Sequence, residues 1–235
     1  MVARGVEGLF ASVAVRRYQV GVAAFLVLLV VALLTVHAAR ARGAEASRCE
    51  RFAAASVARA QSDTGSGRRV VVIGDSWSAG LGLDDPATSW PSRLPGRVHV
   101  AGFSGSGFSR GASPCGDESY AGRARSALRG GAGLVVVEGG LNDFDQPSGA
   151  IRAGFRKLMT ALRGHRVVVV GPADAPSRAG AVPRVDALLA RLAAAYDVPY
   201  VRTSGLDLRY LPDRLHLTPA GHRAFGDAVA ARVAD

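Results

Sequence analysis

Three uninterrupted runs rich in β-branched residues, "VVVI" (70–73), "LVVV" (134–137) and "VVVV" (167–170), constrain this chain more than any other feature. A strand with one wet face alternates apolar and polar residues, whereas a strand covered on both faces is apolar throughout. Two weaker runs complete a set of five strands, over 69–74, 98–103, 134–138, 166–171 and 199–202. Helical patterns follow at 148–163, 183–197 and 218–233; in the second, Val185, Leu188, Leu189, Leu192 and Tyr196 fall on one stripe. Strands joined by crossover helices form a parallel sheet. The expected class is α/β, a three-layer α/β/α domain over 68–235.

Residues 1–39 carry a different signal. Val20–Val36 holds no charge, and the uncharged stretch widens to 18–39, long enough to cross a bilayer core of about 30 Å. A buried globular helix would show a polar face, and none is visible. Two export readings stay open. Arg16-Arg17 before the run and "HAARA" after it fit a cleaved signal peptide. The length of the run, beyond the roughly 7–15 residues of a signal core, favours an uncleaved transmembrane anchor. Arg4, Arg16 and Arg17 face Arg40, Arg42 and Arg48 across the span, so charge leaves its orientation open, and "RRYQV" is only a weak twin-arginine pattern. Either way the remainder is expected in the cell envelope or outside the cell. Residues 40–67, ending in "SDTGSG", read as a linker with one short Ala-rich helix.

The net charge of +10 is almost wholly arginine, Lys157 being the only lysine. Nucleic-acid binding would cluster these cations on one element with aromatics between them. They are scattered and aromatics make up 6%, so the expected role is a solvated surface with no nucleic-acid partner. Cys49 and Cys115 are the only cysteines. Without CxxC or a neighbouring histidine they do not suggest a metal site. Export permits a disulfide tying the linker to "GASPCGDES" (111–119), two free thiols being the alternative.

In flavodoxin-like parallel sheets of this kind, ligands gather at the carboxyl ends of the strands. That rim collects Ser76 in "GDSW", "GFSGSG" (102–107), "GGLND" (139–143) and "GPADAP" (171–176). Of five histidines, His37 ends the apolar span, His99 lies within a strand pattern and His165 just before one, and His222 is expected on the wet face of the last helix. His216 sits in "LPDRLHLTPAG" with Asp213 three residues earlier. Such a turn lets the carboxylate hold Nδ1–H and leaves Nε2 to take a proton from a serine. An oxyanion requires donors already aimed at it: the Ser76 N–H at a helix start, the Asn142 amide and the Gly105 N–H, with Gly102 a competitor. Each block alone is ordinary turn chemistry. Asp75 and Glu138 are expected to be scaffold.

Together the blocks "GDS", the glycine loop, "GGLND" and "DRLH", in this order and spacing, resemble the SGNH (GDSL-type) hydrolase family over about 68–235. "SWPSRL" (89–94) and "VVVEGGLND" are similar to its small bacterial thioesterase/lysophospholipase members. The resemblance implies an acyl-transfer enzyme with Ser76 as nucleophile, His216 as base and Asp213 as its orienter. Ser76, Gly105 and Asn142 would then line the oxyanion hole. It implies a monomer that needs no metal or organic cofactor and acts on a small ester or an acylated lipid or glycan. Two departures matter: Trp77 replaces the usual leucine, altering the pocket wall, and Val100 replaces a loop-bracing asparagine. Carbohydrate O-deacetylation on envelope glycans is the alternative reading. A nucleotide-binding module is a distant third, because "GSGFSRG" (105–111) lacks a P-loop lysine and a following helix.

Overall fold

The computed structural model describes the backbone of residues 4–233 and the side chains from Phe25 onward. The side chains of Arg4, Arg16 and Arg17, weighed above for orientation and export, lie outside the described residues. The chain divides into two compact units, Met1–Arg48 and Cys49–Asp235. The first is helical throughout its described residues, as the opening part of α1 (Arg4–Ala60). Its side chains from Phe25 to Val36 are exposed, and the helix is long and apolar enough to cross a membrane. Residues 40–60, expected to be mostly irregular, are helical because "RARGAEASRCERFAAASVARA" offers only Gly43 as a breaker.

The second unit is a five-stranded parallel sheet in the order β2-β1-β3-β4-β5. The strands are β1 (Arg69–Gly74), β2 (Arg97–Gly102), β3 (Leu134–Glu138), β4 (Val167–Val170) and β5 (Tyr200–Val201). Register runs Gly74 against Gly102 and Val72 against Val136, so the strands finish level at one rim. Side chains alternate across the pleat. Val70, Val72, Val136 and Val168 enter one apolar layer with Trp77, Trp90, Phe225 and Val229, which come from α2 (Ser76–Ala79), a 3-10 turn and α6 (Pro219–Val233). Val71, Ile73, Val135 and Val137 enter the other, against α3 (Tyr120–Ala127), α4 (Ser148–Ala161) and α5 (Val182–Ala195). This double coverage is why the strands read as continuous apolar runs.

Helix α3 was not anticipated. Its sequence "YAGRARSA" is short, holds a glycine and shows only a weak stripe; Ser119 starts it by accepting the Gly122 N–H. Cys49 and Cys115 are bonded as a disulfide, joining the last turns of α1 to the loop that precedes α3. Phe52 meets Phe103 edge-on nearby, so the end of α1 packs on the β2 rim.

Candidate active site

At the end of β1 the chain must turn from strand to helix within one residue. Asp75 makes this possible: its Oδ1 accepts the Trp77 N–H at 2.9 Å and caps α2. Gly80, in the left-handed region, stops the helix one turn later. Ser76 is thus the first helical residue, and its N–H has no acceptor among the described residues. Burial pushes the Asp75 carboxyl up to about 6, against the Trp77 N–H and the nearby His216 and Arg123, which favour its charged form.

The partner of Ser76 comes from the segment between β5 and α6. Leu211 N–H donates to the His216 carbonyl at 2.7 Å and Thr218 N–H to the Arg209 carbonyl at 3.0 Å, closing a tight loop. Inside it, Asp213 Oδ1 accepts the backbone N–H of both Leu215 and His216 at 2.9 Å. Its Oδ2 lies 2.5 Å from His216 Nδ1, and His216 Nε2 lies 3.1 Å from Ser76 Oγ. Partial desolvation raises the Asp213 carboxyl, but the imidazole and the two backbone donors together outweigh it and hold it down at about 2. The Nδ1 contact to a carboxylate sets the tautomer that leaves Nε2 as acceptor for the serine proton. Ser76, His216 and Asp213 therefore form one hydrogen-bonded chain across 140 residues of sequence.

Asn142 lies on a 3-10 turn after β3 (Leu141–Asp143), and its Nδ2 donates to Asp75 Oδ2 at 3.2 Å and to the Ser106 carbonyl at 2.9 Å. It is joined to the residue before Ser76 and to the residue after Gly105. Gly105 has a φ of +82°, a Cβ there would meet nothing within 4 Å, and its N–H has no acceptor among the described residues. Gly102 is different: a Cβ there would lie 2.6 Å from the Ala79 backbone nitrogen, because β2 presses against α2.

Trp77, in place of the usual leucine, packs inward. It is buried, its Nε1–H donates to the Leu215 carbonyl at 3.1 Å, and its ring meets Phe225 edge-on. His222 is not on a wet face but 1% exposed, with Nδ1 accepting the Trp90 N–H; burial lowers its pKa to about 4. Glu138 is buried and accepts from the Ser78 hydroxyl at 2.6 Å. Desolvation raises its pKa, and Asp75 adds to the effect.

The bracing that Val100 cannot give comes from two groups that sequence reasoning missed. Arg123 of α3 donates to the carbonyls of Ala101 and Gly74 and, at 2.8 Å, to the Ser106 hydroxyl, tying the ends of β1 and β2 to the glycine loop. Asp143 accepts the N–H of Phe108 and of Ser109, both at 2.8 Å. Those amides, which a phosphate would need from "GSGFSRG", are thereby occupied. The second "ND" residue was a signal for this; Arg123 had none, since α3 itself was not foreseen. Among the described residues no three His, Cys, Asp or Glu side chains converge as metal ligands do.

A model of the GDSL-like lipase/acylhydrolase family matches residues 72–224, well over half the chain. Among solved structures, a candidate arylesterase from Agrobacterium tumefaciens str. C58 is 23% identical with a TM-score of 0.60, covering 72% of this chain and 99% of its own. An aryl esterase from M. smegmatis, in an inhibitor-bound form, is 19% identical with the same TM-score over 72% and 99%. A carbohydrate acetylesterase family member from Sinorhizobium meliloti is 22% identical, with a TM-score of 0.57 over 71% and 97%. These likenesses extend to the fold. No curated protein matches the chain.

Proposed function

Because the chain belongs to the GDSL-like lipase/acylhydrolase family, we propose that it hydrolyses carboxylic esters through an acyl-Ser76 intermediate. The observation that carries this reading is the chain Ser76 Oγ–His216 Nε2, 3.1 Å, and His216 Nδ1–Asp213 Oδ2, 2.5 Å. Ser76 Oγ attacks the ester carbonyl as its proton passes to His216 Nε2. Negative charge develops on the carbonyl oxygen and is met by the N–H groups of Ser76 and Gly105 and by one N–H of the Asn142 amide, which exchanges its longer bond to Asp75 Oδ2 for the oxyanion. Collapse expels the alcohol with the proton from His216. Water, deprotonated by the same imidazole, then releases the acid and restores Ser76. Asp213 holds the ring and stabilises the imidazolium. Gly105 is preferred to Gly102 because its N–H is free and its surroundings open.

Treatment with a fluorophosphonate probe, followed by peptide mapping, tests this. The expected adduct is on Ser76, with labelling and ester turnover both lost in Ser76→Ala at unchanged thermal stability. A labelled Ser76→Ala, or one that keeps full turnover, would sink the assignment.

Carbohydrate O-deacetylation is the second reading, favoured by the fold likeness to carbohydrate acetylesterases. It uses the same residues and differs in the acyl group. Rates on 4-nitrophenyl acetate, 4-nitrophenyl octanoate and acetylated sugars separate the two. The enzyme acts as a monomer in the cell envelope, tethered by the apolar part of α1; the disulfide supports delivery to an oxidising compartment. Carbonate extraction of membranes checks the tether, which requires the protein to remain in the pellet.

A further inference from the structure

We infer that Arg178 forms an anion-binding subsite at the mouth of the ester site, receiving a carboxylate or phosphate carried by the substrate itself. The inference rests on the esterase reading above and narrows its substrate to esters bearing a negative charge.

Arg178 ends a 3-10 turn (Pro176–Arg178) after β4, on the same rim as Ser76. Two contacts bracket it between the site's other turns. Its guanidinium carbon lies 3.6 Å from the centre of the Phe144 ring, and Phe144 is two residues beyond Asn142. The preceding residue, Ser177, donates its N–H to the Arg214 carbonyl at 3.0 Å, two residues before His216. The cation is therefore held against the turn of the proposed oxyanion donor, on a loop bonded to the turn of the proposed base.

Nothing in the described protein neutralises it. No carboxylate lies within 4.0 Å of Arg178, and its side chain makes no hydrogen bond among the described residues. The acids of the adjoining segments are otherwise engaged. Asp143 holds two backbone amides, Asp145 takes Gln146 Nε2, Asp174 takes the Gly205 N–H, and Asp213 holds His216. Neighbouring Arg184, by contrast, is used on the Phe144 carbonyl at 2.8 Å. Within Arg178, Nε is sealed from solvent without a partner, whereas both terminal nitrogens remain accessible. Stacking on an aromatic face fixes the plane of a guanidinium and presents its terminal edge outward. Two parallel N–H bonds from that edge match a carboxylate or phosphate.

The test compares 4-nitrophenyl acetate with 3-carboxy-4-nitrophenyl acetate on the wild type, Arg178→Gln and Arg178→Lys, with thermal unfolding confirming that the variants fold. The ratio of kcat/KM, charged over neutral ester, is expected to fall about tenfold in Arg178→Gln. Arg178→Lys, which keeps the charge without the fork, should recover only part of it. An unchanged ratio in Arg178→Gln overturns the subsite while leaving Ser76-dependent hydrolysis standing. Ester turnover that survives Ser76→Ala overturns the underlying reading instead. An O-acetylated glucuronate and an acyl glycerophosphate then separate the two anion sources. Loss of turnover in Arg178→Gln on either one identifies the charge recognised, and loss on neither overturns the inference.

Discussion

The indole N–H of Trp77 donates to the Leu215 carbonyl at 3.1 Å, so the helix that begins with Ser76 holds the loop that carries His216. The proposed nucleophile and base lie far apart in sequence, yet this bond and the packing of Trp77 on Tyr210 and Phe225 make their separation a local property. Trp77→Phe keeps a ring and deletes the bond. It is expected to lower kcat about tenfold, since small misplacements of reacting groups are costly, with KM little changed. A variant with wild-type kcat would show that the loop is positioned by other contacts.

Asn142→Ala removes an amide that links Asp75 to the Ser106 carbonyl and that is proposed to meet the oxyanion. A fall in kcat of about 10²–10³ is expected if the amide acts in the transition state. Steady-state kinetics separate this from a purely structural effect, which would appear in the melting temperature without so large a fall in rate.

Protonation and folding are linked through the buried carboxyls. Asp75 and Asp143 are each raised to about 6 by burial. At pH 5 they hold protons in the folded protein and release them on unfolding, so their stabilising contribution is full below about pH 4 and is lost as pH rises through 6. His222, lowered to about 4, acts in the opposite sense by taking up a proton when it unfolds at pH 5. The carboxyls, with Glu138 raised in the same direction, outnumber it. Calorimetric unfolding at pH 5, in buffers of different ionisation enthalpy, should therefore show net proton release. Asp143→Asn should reduce that release by about one proton.

The Cys49–Cys115 disulfide closes a long loop between the end of α1 and the segment before α3. Reduction, or Cys115→Ser, is expected to destabilise the domain by about 2–4 kcal/mol. The denaturation midpoint with and without reductant measures this. Reductant should have no further effect on Cys115→Ser.

Much of this architecture was legible because its causes are local. Burial on both faces wrote β1, β3 and β4 as unbroken apolar runs, and strand-end loops with Gly, Asp, Ser and Asn marked the rim. The Asp213–His216 pairing could be read because a four-residue turn suffices to make it. Arg123 could not, because its importance comes from acceptors on β1, β2 and the glycine loop that only the fold assembles. The burial of Trp77 and of His222 was hidden for a related reason. Both lie where the 3-10 turn at Trp90–Arg93 and α6 close over α2, and neither segment's pattern announces its neighbour.

Asp213 grips two backbone amides of its own turn along with the imidazole, which makes acid and base a single mechanical part. If that turn lifts away, Ser76 loses its proposed proton acceptor and the carboxylate paired with it in one movement. Loosening of this loop should therefore act on both groups together, between a closed, working arrangement and an open, silent one. Partial inactivation would then be seen as a kcat scaled by the fraction of time the turn is closed.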